Sequence, residues 1–277
     1  MANILKRDKQ EMAIRCLLEG NSVRSTERMT GVHRDTIIRL TVRVGMGSKK
    51  LMDNKFQNLN LHNIQIDDIW GFVGKKQRHI KKEDDPDTVG DMWTFVALDS
   101  ETKLVPSFLV GKRTQENAES FLLDLASRLD SRVQLSADKL PAYVNAVWKA
   151  FGPDANFGQI VKSYEAEPIG AGRYSPPKVV SVEKTRIWGK PNQNLISTSH
   201  VERQNLTMRM GIRRLTRLTN AFSKKVENLE AAVALWFAYY KFVRPHRTLN
   251  TVPAVKAGII KWLWNIGQLL DYSLAKS

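Results

Sequence analysis

Apolar side chains recur at helical spacing in three short runs near the start of the chain, 8–18, 22–29 and 34–44, the third carrying Ile37, Ile38 and Leu40. Gly20 closes the first run, and Thr30-Gly31-Val32-His33 separates the second from the third, which predicts the outline of a helix-turn-helix. Residues 45–62 are polar, hold glycines at 45 and 47, and read as a linker or short connecting helix. The domain division expected is therefore 1–45 for the N-terminal helices and 46–62 for the linker.

From Ile64 the pattern changes to strands at 64–74, 93–99 and 103–111, with Ser100-Glu101-Thr102 short enough for a hairpin. Thr114 can cap a helix to about 129, with Phe121, Leu122, Leu125 and Leu129 on one face. A strand at 132–138, a helix at 142–151 and a strand at 156–164 follow. The class is α/β, and the strand count predicts a five-stranded sheet flanked by helices. Residues 165–198, rich in Gly, Pro and Ser, read as an irregular insertion. Helical patterns return at 199–218, 223–243 and 255–270, the last with Trp262 and Trp264, suited to docking on the core or on a second subunit. The core spans 63–258, the C-terminal helical tail is 259–277, and there is no internal repeat.

Charge narrows the partner. Lys and Arg number 43 against 28 Asp and Glu, a formal charge of +15, and nucleic acid is the commonest polyanion to neutralise such an excess on a folded chain. If the three-helix unit binds DNA, the start of its third helix, Arg34, Asp35, Thr36 and Arg39, faces the bases. Cys16 is the sole cysteine, which excludes an intrachain disulfide and a thiolate zinc site, so any metal takes oxygen or imidazole ligands. No signal-type apolar core opens the chain, and the apolar stretch at 259–270 is broken by Lys261, Asn265 and Gln268; the expectation is a soluble, cytoplasmic protein with no membrane partner.

Three acids stand out. Asp67 sits among Ile64, Ile66, Ile69 and Trp70, where a carboxylate is costly to bury without a compensating cation. Asp68 beside it points to the opposite face of the strand, so one of the two can join a given site and strand register decides which. Asp138 ends a strand just before a helix, as a turn or capping Asp also would. Glu202 is the sole carboxylate between Lys184 and Val226, and Ser199-His200-Val201-Glu202 fits a capping box with Ser199 as N-cap. Downstream, Arg209, Arg213 and Arg217 fall at i, i+4 and i+8, a stripe for DNA phosphates if the helix continues that far, with Arg214 flanking it.

Three segments carry a family resemblance: Ile66-Asp67-Asp68-Ile69-Trp70-Gly71-Phe72-Val73-Gly74, Ala137-Asp138-Lys139-Leu140-Pro141-Ala142-Tyr143 and His200-Val201-Glu202-Arg203-Gln204-Asn205. They resemble the DDE transposases of bacterial insertion sequences, most of all the insertion-sequence-one type, over roughly residues 64–258. The resemblance implies a ribonuclease H-like core with a mixed five-stranded sheet, and Asp67, Asp138 and Glu202 as catalytic ligands of two Mg2+ ions, with Mn2+ as a substitute and Asp68 as the rival first ligand. It implies positioning or DNA-contact roles for His200 and Asn205 and phosphate contacts for Lys139 and Arg203. It further implies double-stranded DNA as partner, both terminal inverted repeats and target, with at least a homodimer working on the nucleoid. The chain departs from the family in lacking its N-terminal zinc-binding cysteines, in carrying Lys139 where a small residue is usual, and in the length of 165–198. The competing expectations are a DNA-binding regulator with a non-catalytic core and a structure-selective nuclease that does not join strands.

Overall fold

A strand whose alternate side chains are apolar must bury one face, and the long strands here do so against helices on both sides of a single mixed sheet. The computed structural model describes residues 5–165 and 178–275. Strands β1 (Asn63–Val73), β2 (Gly90–Asp99) and β3 (Phe108–Gly111) form an antiparallel meander. Helix α4 (Gln115–Arg128) then carries the chain across to β4 (Val133–Asp138), and α5 (Pro141–Phe151) carries it to β5 (Ala155–Glu165). Both crossovers yield parallel pairing, β1 with β4 and β4 with β5, as a helical connection allows and a hairpin does not. β6 (Lys178–Trp188) returns antiparallel to β5, so the sheet has six strands in the order β3-β2-β1-β4-β5-β6.

The five-stranded sheet expected from the sequence gains this sixth strand from within 165–198, the stretch read as irregular. Polar and charged residues dominate β6, and its side chains from Ser181 to Arg186 are exposed, so no half-buried alternation marked it. Residues 166–177 of that stretch lie outside the described residues. The third strand is also shorter than expected: 103–107 is a loop in which Lys103 takes a positive φ of 58°, and the Asp99 carboxylate accepts from the N–H and the hydroxyl of Thr102 at 2.7 Å each.

The N-terminal helices are α1 (Arg7–Leu18), α2 (Val23–Thr30) and α3 (Arg34–Lys55). Ser22 caps α2, its hydroxyl accepting from the Ser25 N–H at 3.0 Å, and Gly31 closes it in the left-handed region at φ 69°. Ala13, Ile14, Leu18, Ile37, Leu40 and Val44 are buried together. α3 does not stop at 44. It runs through most of 46–62, the span expected to be a linker, and packs along α7 (Val226–Phe242) and α9 (Ile266–Leu274). Gly45 and Gly47, which suggested a break, are points of closest approach: a Cβ on Gly45 would collide with the Ala231 backbone of α7, and one on Gly47 with the Ser273 backbone of α9. Beside them the Ser48 and Ser273 hydroxyls bond at 2.9 Å in the buried seam.

Two further helices differ from expectation. α6 (Ser199–Gly211) ends seven residues before 218 and gives way to a 3-10 turn, Arg213–Leu215; a Cβ on Gly211 would meet the indole of Trp236. The apolar stretch 255–270 is not one helix. α8 (Pro253–Lys256) stops before Gly258, at φ 72°, and α9 starts at Ile266 with a capping box between Asn265 and Gln268. Trp264 stacks between Phe242 and Tyr272, at centroid distances of 4.5 and 4.4 Å, whereas Trp262 is 62% exposed. Among the described residues no helix is long and apolar enough to cross a membrane.

Helix propensity alone favours Ala over Gly in an exposed helix by about 1 kcal/mol. At Gly45 the packing term has the opposite sign and is larger, about 1–3 kcal/mol for overpacking a filled interface. Gly45→Ala should therefore lower the unfolding free energy in a urea titration; a neutral or stabilising result would show that α3 and α7 do not approach this closely.

Candidate functional site

The register of the central strands brings two of the three acids together. β1 and β4 pair in parallel up to Ile66 opposite Ala137, so Asp67 and Asp138 are the next residues of adjacent strands, side by side where that ladder ends. Side chains alternate along a strand, and this decides the face. Gln65 and Asp67 share the side of β1 on which α6 lies, and Gln134, Ser136 and Asp138 share the corresponding side of β4. Asp68 points through to the opposite side.

α6 is held onto β1 at three levels. Its N-terminus is capped from another element: the Gln65 Oε1 accepts from the backbone N–H of His200 at 2.8 Å and of Val201 at 3.2 Å. Two strand residues on, the Asn205 amide donates to the Asp67 carboxylate at 2.8 Å. At the far end Arg209 donates to the Trp70 carbonyl at 3.1 Å and to the Leu215 carbonyl at 3.0 Å. The capping box expected from Ser199 is not formed. The N-cap is Thr198, whose hydroxyl donates to the Glu202 carboxylate at 2.5 Å, while the Ser199 N–H donates to the Ser197 hydroxyl. With Gln65 supplying acceptors at the helix start, Glu202 is left to face the sheet rather than to fold back on its own backbone.

Asp67, Asp68, Asp138 and Glu202 thus form a group of acids whose charges are felt by one another. Burial, with repulsion from Asp138, Asp68 and Glu202, pushes the Asp67 carboxyl from 3.8 up to about 7, outweighing the Asp68 N–H that lowers it. Burial also carries Asp68 up to about 6 against the opposing pull of Arg113, and raises Asp138. Two cations meet the group. The Arg113 guanidinium lies over the Trp93 ring, donates to Asp68 at 2.8 Å and stands 3.9 Å from Asp138. Lys162, on β5, pairs with Glu202. The side chain of Asp68 is 4% exposed, whereas those of Asp138 and Glu202 are 40% and 44% exposed, so the open side of the group is the α6 side. Among the described residues no three acids or imidazoles stand as a ready cage for an ion. The donor set is nevertheless entirely oxygen, as a hard divalent cation takes, and Asp67 carries the uncompensated repulsion that such a cation would relieve.

The remaining sequence-predicted residues divide. Lys139 and Arg203 are exposed beside Asp138 and Glu202. His200 has both ring nitrogens near the Lys103 ammonium, at 3.3 and 3.4 Å, and burial together with that charge lowers its pKa. Arg209, Arg213 and Arg217 do not form one helical stripe, because α6 ends at Gly211; Arg209 is turned to backbone carbonyls, Arg213 lies in the 3-10 turn and Arg217 beyond it. Arg34 and Arg39 are exposed at the start of α3, Asp35 with them, and Thr36 is half-buried. Tyr143, the last residue of the second resembling segment, is buried and its hydroxyl has no partner among the described residues, whereas Gln65, Arg113 and Lys162 did not emerge from the sequence as site residues. Of these three, Gln65 alone left a trace there, as a polar residue on the same strand parity as Asp67. No protein-family model matches the chain, and no curated protein sequence matches it.

Two measurements follow from this geometry. A carboxyl with a raised folded-state pKa favours the fold while protonated, and that contribution disappears as pH rises from the unfolded value towards the folded one. In EDTA, Asp67→Asn should therefore melt higher than the native chain at pH 8, with the gap closing towards pH 4; a gap independent of pH would refute the repulsion. Gln65→Leu strands two helix N–H groups and should cost about 1–3 kcal/mol, read as faster amide exchange at His200 and Val201 with exchange in α7 unchanged.

Proposed function

We propose that the chain is a DNA transposase of the DDE type with a ribonuclease H-like core, which cleaves a DNA strand at the ends of a mobile element and joins the freed 3′-hydroxyl to target DNA. The observation that carries this is the adjacency of Asp67 and Asp138 at the end of the β1–β4 ladder, with Glu202 presented to the same face by α6. An antiparallel meander followed by two parallel crossovers is the strand order such a core would have, and supports the reading. The exposed Arg34 and Arg39 on α3 and the charge of +15 support a helix-turn-helix that binds duplex DNA. Such an enzyme would work in the cytoplasm on nucleoid DNA, as a dimer or larger assembly, since two element ends must be processed together.

Asp67, Asp138 and Glu202 would hold Mg2+, or Mn2+ in its place. A divalent cation there supplies charge neutralisation at a phosphodiester and a more acidic attacking hydroxyl or water. The chain's own groups do the positioning. Asn205 fixes one oxygen of Asp67, the Gln65 cap sets where α6 begins and hence where Glu202 stands, and Arg113 keeps Asp68 on the opposite side of the strand. That division favours Asp67 over Asp68 as the first ligand. Lys139 and Arg203 would take backbone phosphates.

A second reading is favoured by one observation: Glu202 is engaged by Lys162 and, among the described residues, no three acids form a ready cage, as in a DNA-binding regulator with a core that does not cut. Labelled duplexes from the DNA flanking the gene, incubated with Mg2+, separate the readings. Cleaved and joined products are expected. Binding without cleavage selects the regulator, and cleavage without joining selects a nuclease. Glu202→Gln should reduce cleavage by at least on the order of a hundredfold with DNA binding retained; native activity in that variant would exclude Glu202 from the site.

A further inference from the structure

A second polar site lies at the other end of the sheet, where β4 and β5 begin. Arg132, Asn156, Arg186, Gly189 and Lys190 line an open hollow of about 490 Å³. Of these five, three are cationic and none is acidic, and none of the three cations has an ion pair among the described residues. The walls are built rather than incidental. The Lys190 N–H donates to the Asn156 Oδ1 at 2.8 Å, Arg132 donates to the Pro153 carbonyl at 3.1 Å, and Gly189 takes φ 69° at a place where a Cβ would strike Asn156. The turn after β6 is thereby pinned against the start of β5, with the charged ends of Arg186 and Lys190 left in solvent.

Three uncompensated cations around one hollow repel one another, and an anion is what relieves them. Asn156 and Ile160 alternate onto the same face of β5, and Ile160 is directly opposite Asp138, so the hollow opens on the face that carries the acids. Along β4 the two are separated by the length of the strand, roughly 17 Å at about 3.3 Å per residue. That is about five phosphates along one strand of a duplex.

We propose that this hollow binds a phosphate group, and that in the working complex the group is a backbone phosphate of DNA extending away from the carboxylates. The DNA part rests on the reading given under Proposed function; the phosphate chemistry does not. A contact of this kind is independent of base sequence and registers as counterion release.

The test is the salt dependence of binding to a non-specific duplex, measured by fluorescence anisotropy for the native chain, for Arg186→Gln with Lys190→Gln, and for Lys256→Gln with Lys261→Gln as a charge-matched control of exposed residues elsewhere. Losing one neutralised phosphate lowers the slope of log K against log salt by about 0.9, so the hollow variant, whose two lost cations serve a single phosphate, should fall by about 0.9 on the same relation while the control keeps the native slope. If the native chain binds DNA and the slope of the hollow variant falls no further than that of the control, the inference is overturned while the DNA reading stands. If the native chain binds no DNA, the reading under Proposed function fails, and inorganic phosphate decides the hollow: a saturable shift of the Arg186 Nε–H resonance, absent with Lys190→Gln, retains it as a site for free phosphate, and no shift removes it.

Discussion

The attachment of α6 to β1 is the constraint on which the candidate site depends. A helix start leaves N–H groups without acceptors, and here the acceptor comes from the sheet, through the Gln65 side chain, rather than from the helix's own Ser199. The Asn205–Asp67 bond and the Arg209–Trp70 bond repeat the attachment further along. Because Gln65, Asp67 and Trp70 lie on one rigid strand, the rotation and height of α6 are set together, and Glu202 has little freedom in where it meets the sheet. A substitution at any of these positions would act on the acids without touching Asp138 or Glu202 directly.

The acids themselves form a local conflict that the fold tolerates. Asp67 is placed where burial and three neighbouring carboxylates all disfavour its charge. Arg113 and Lys162 answer these three neighbours, whereas Asp67 is met by two amide donors, the Asn205 side chain and the Asp68 N–H. Concentrating repulsion in this way destabilises the folded chain, and a cation bound among the acids, as proposed above, would relieve it. At the other end of the sheet Arg132, Arg186 and Lys190 line one hollow with the signs reversed.

The N-terminal helices are part of the same body as the sheet. α3 reaches from the exposed Arg34 to Lys55 and lies in close backbone contact with α7 and α9 through Gly45 and Gly47. Arg128, on α4, bonds Asp53 near its end at 2.6 Å. A single rigid helix therefore connects the residues proposed to read DNA with the helices that cover the sheet, and the spacing between the two is set by helix geometry rather than by a flexible linker.

Periodicity along the chain was sufficient for the order of the central elements, because burial on one face imposes a period of two on strands and 3.6 on helices wherever the element is half-covered. It placed Asp67 inside one such element and Asp138 and Glu202 at the end and the start of others, and the uneven charge pointed to a polyanion. It failed where the local signal and the packing disagree. Gly45 and Gly47 look like breaks in a sequence and are contact points in the fold; β6 lacks the alternation of a half-buried strand; and the arginine spacing after Glu202 suggested a helical stripe that Gly211 ends. The sequence by itself determined the class of fold and the short set of acids that could matter. Which of Asp67 and Asp68 faces α6, what caps that helix, and which cations lie against the carboxylates were decided only by tertiary structure, because strand register and contacts between residues 40 to 138 positions apart leave no periodic trace in the chain.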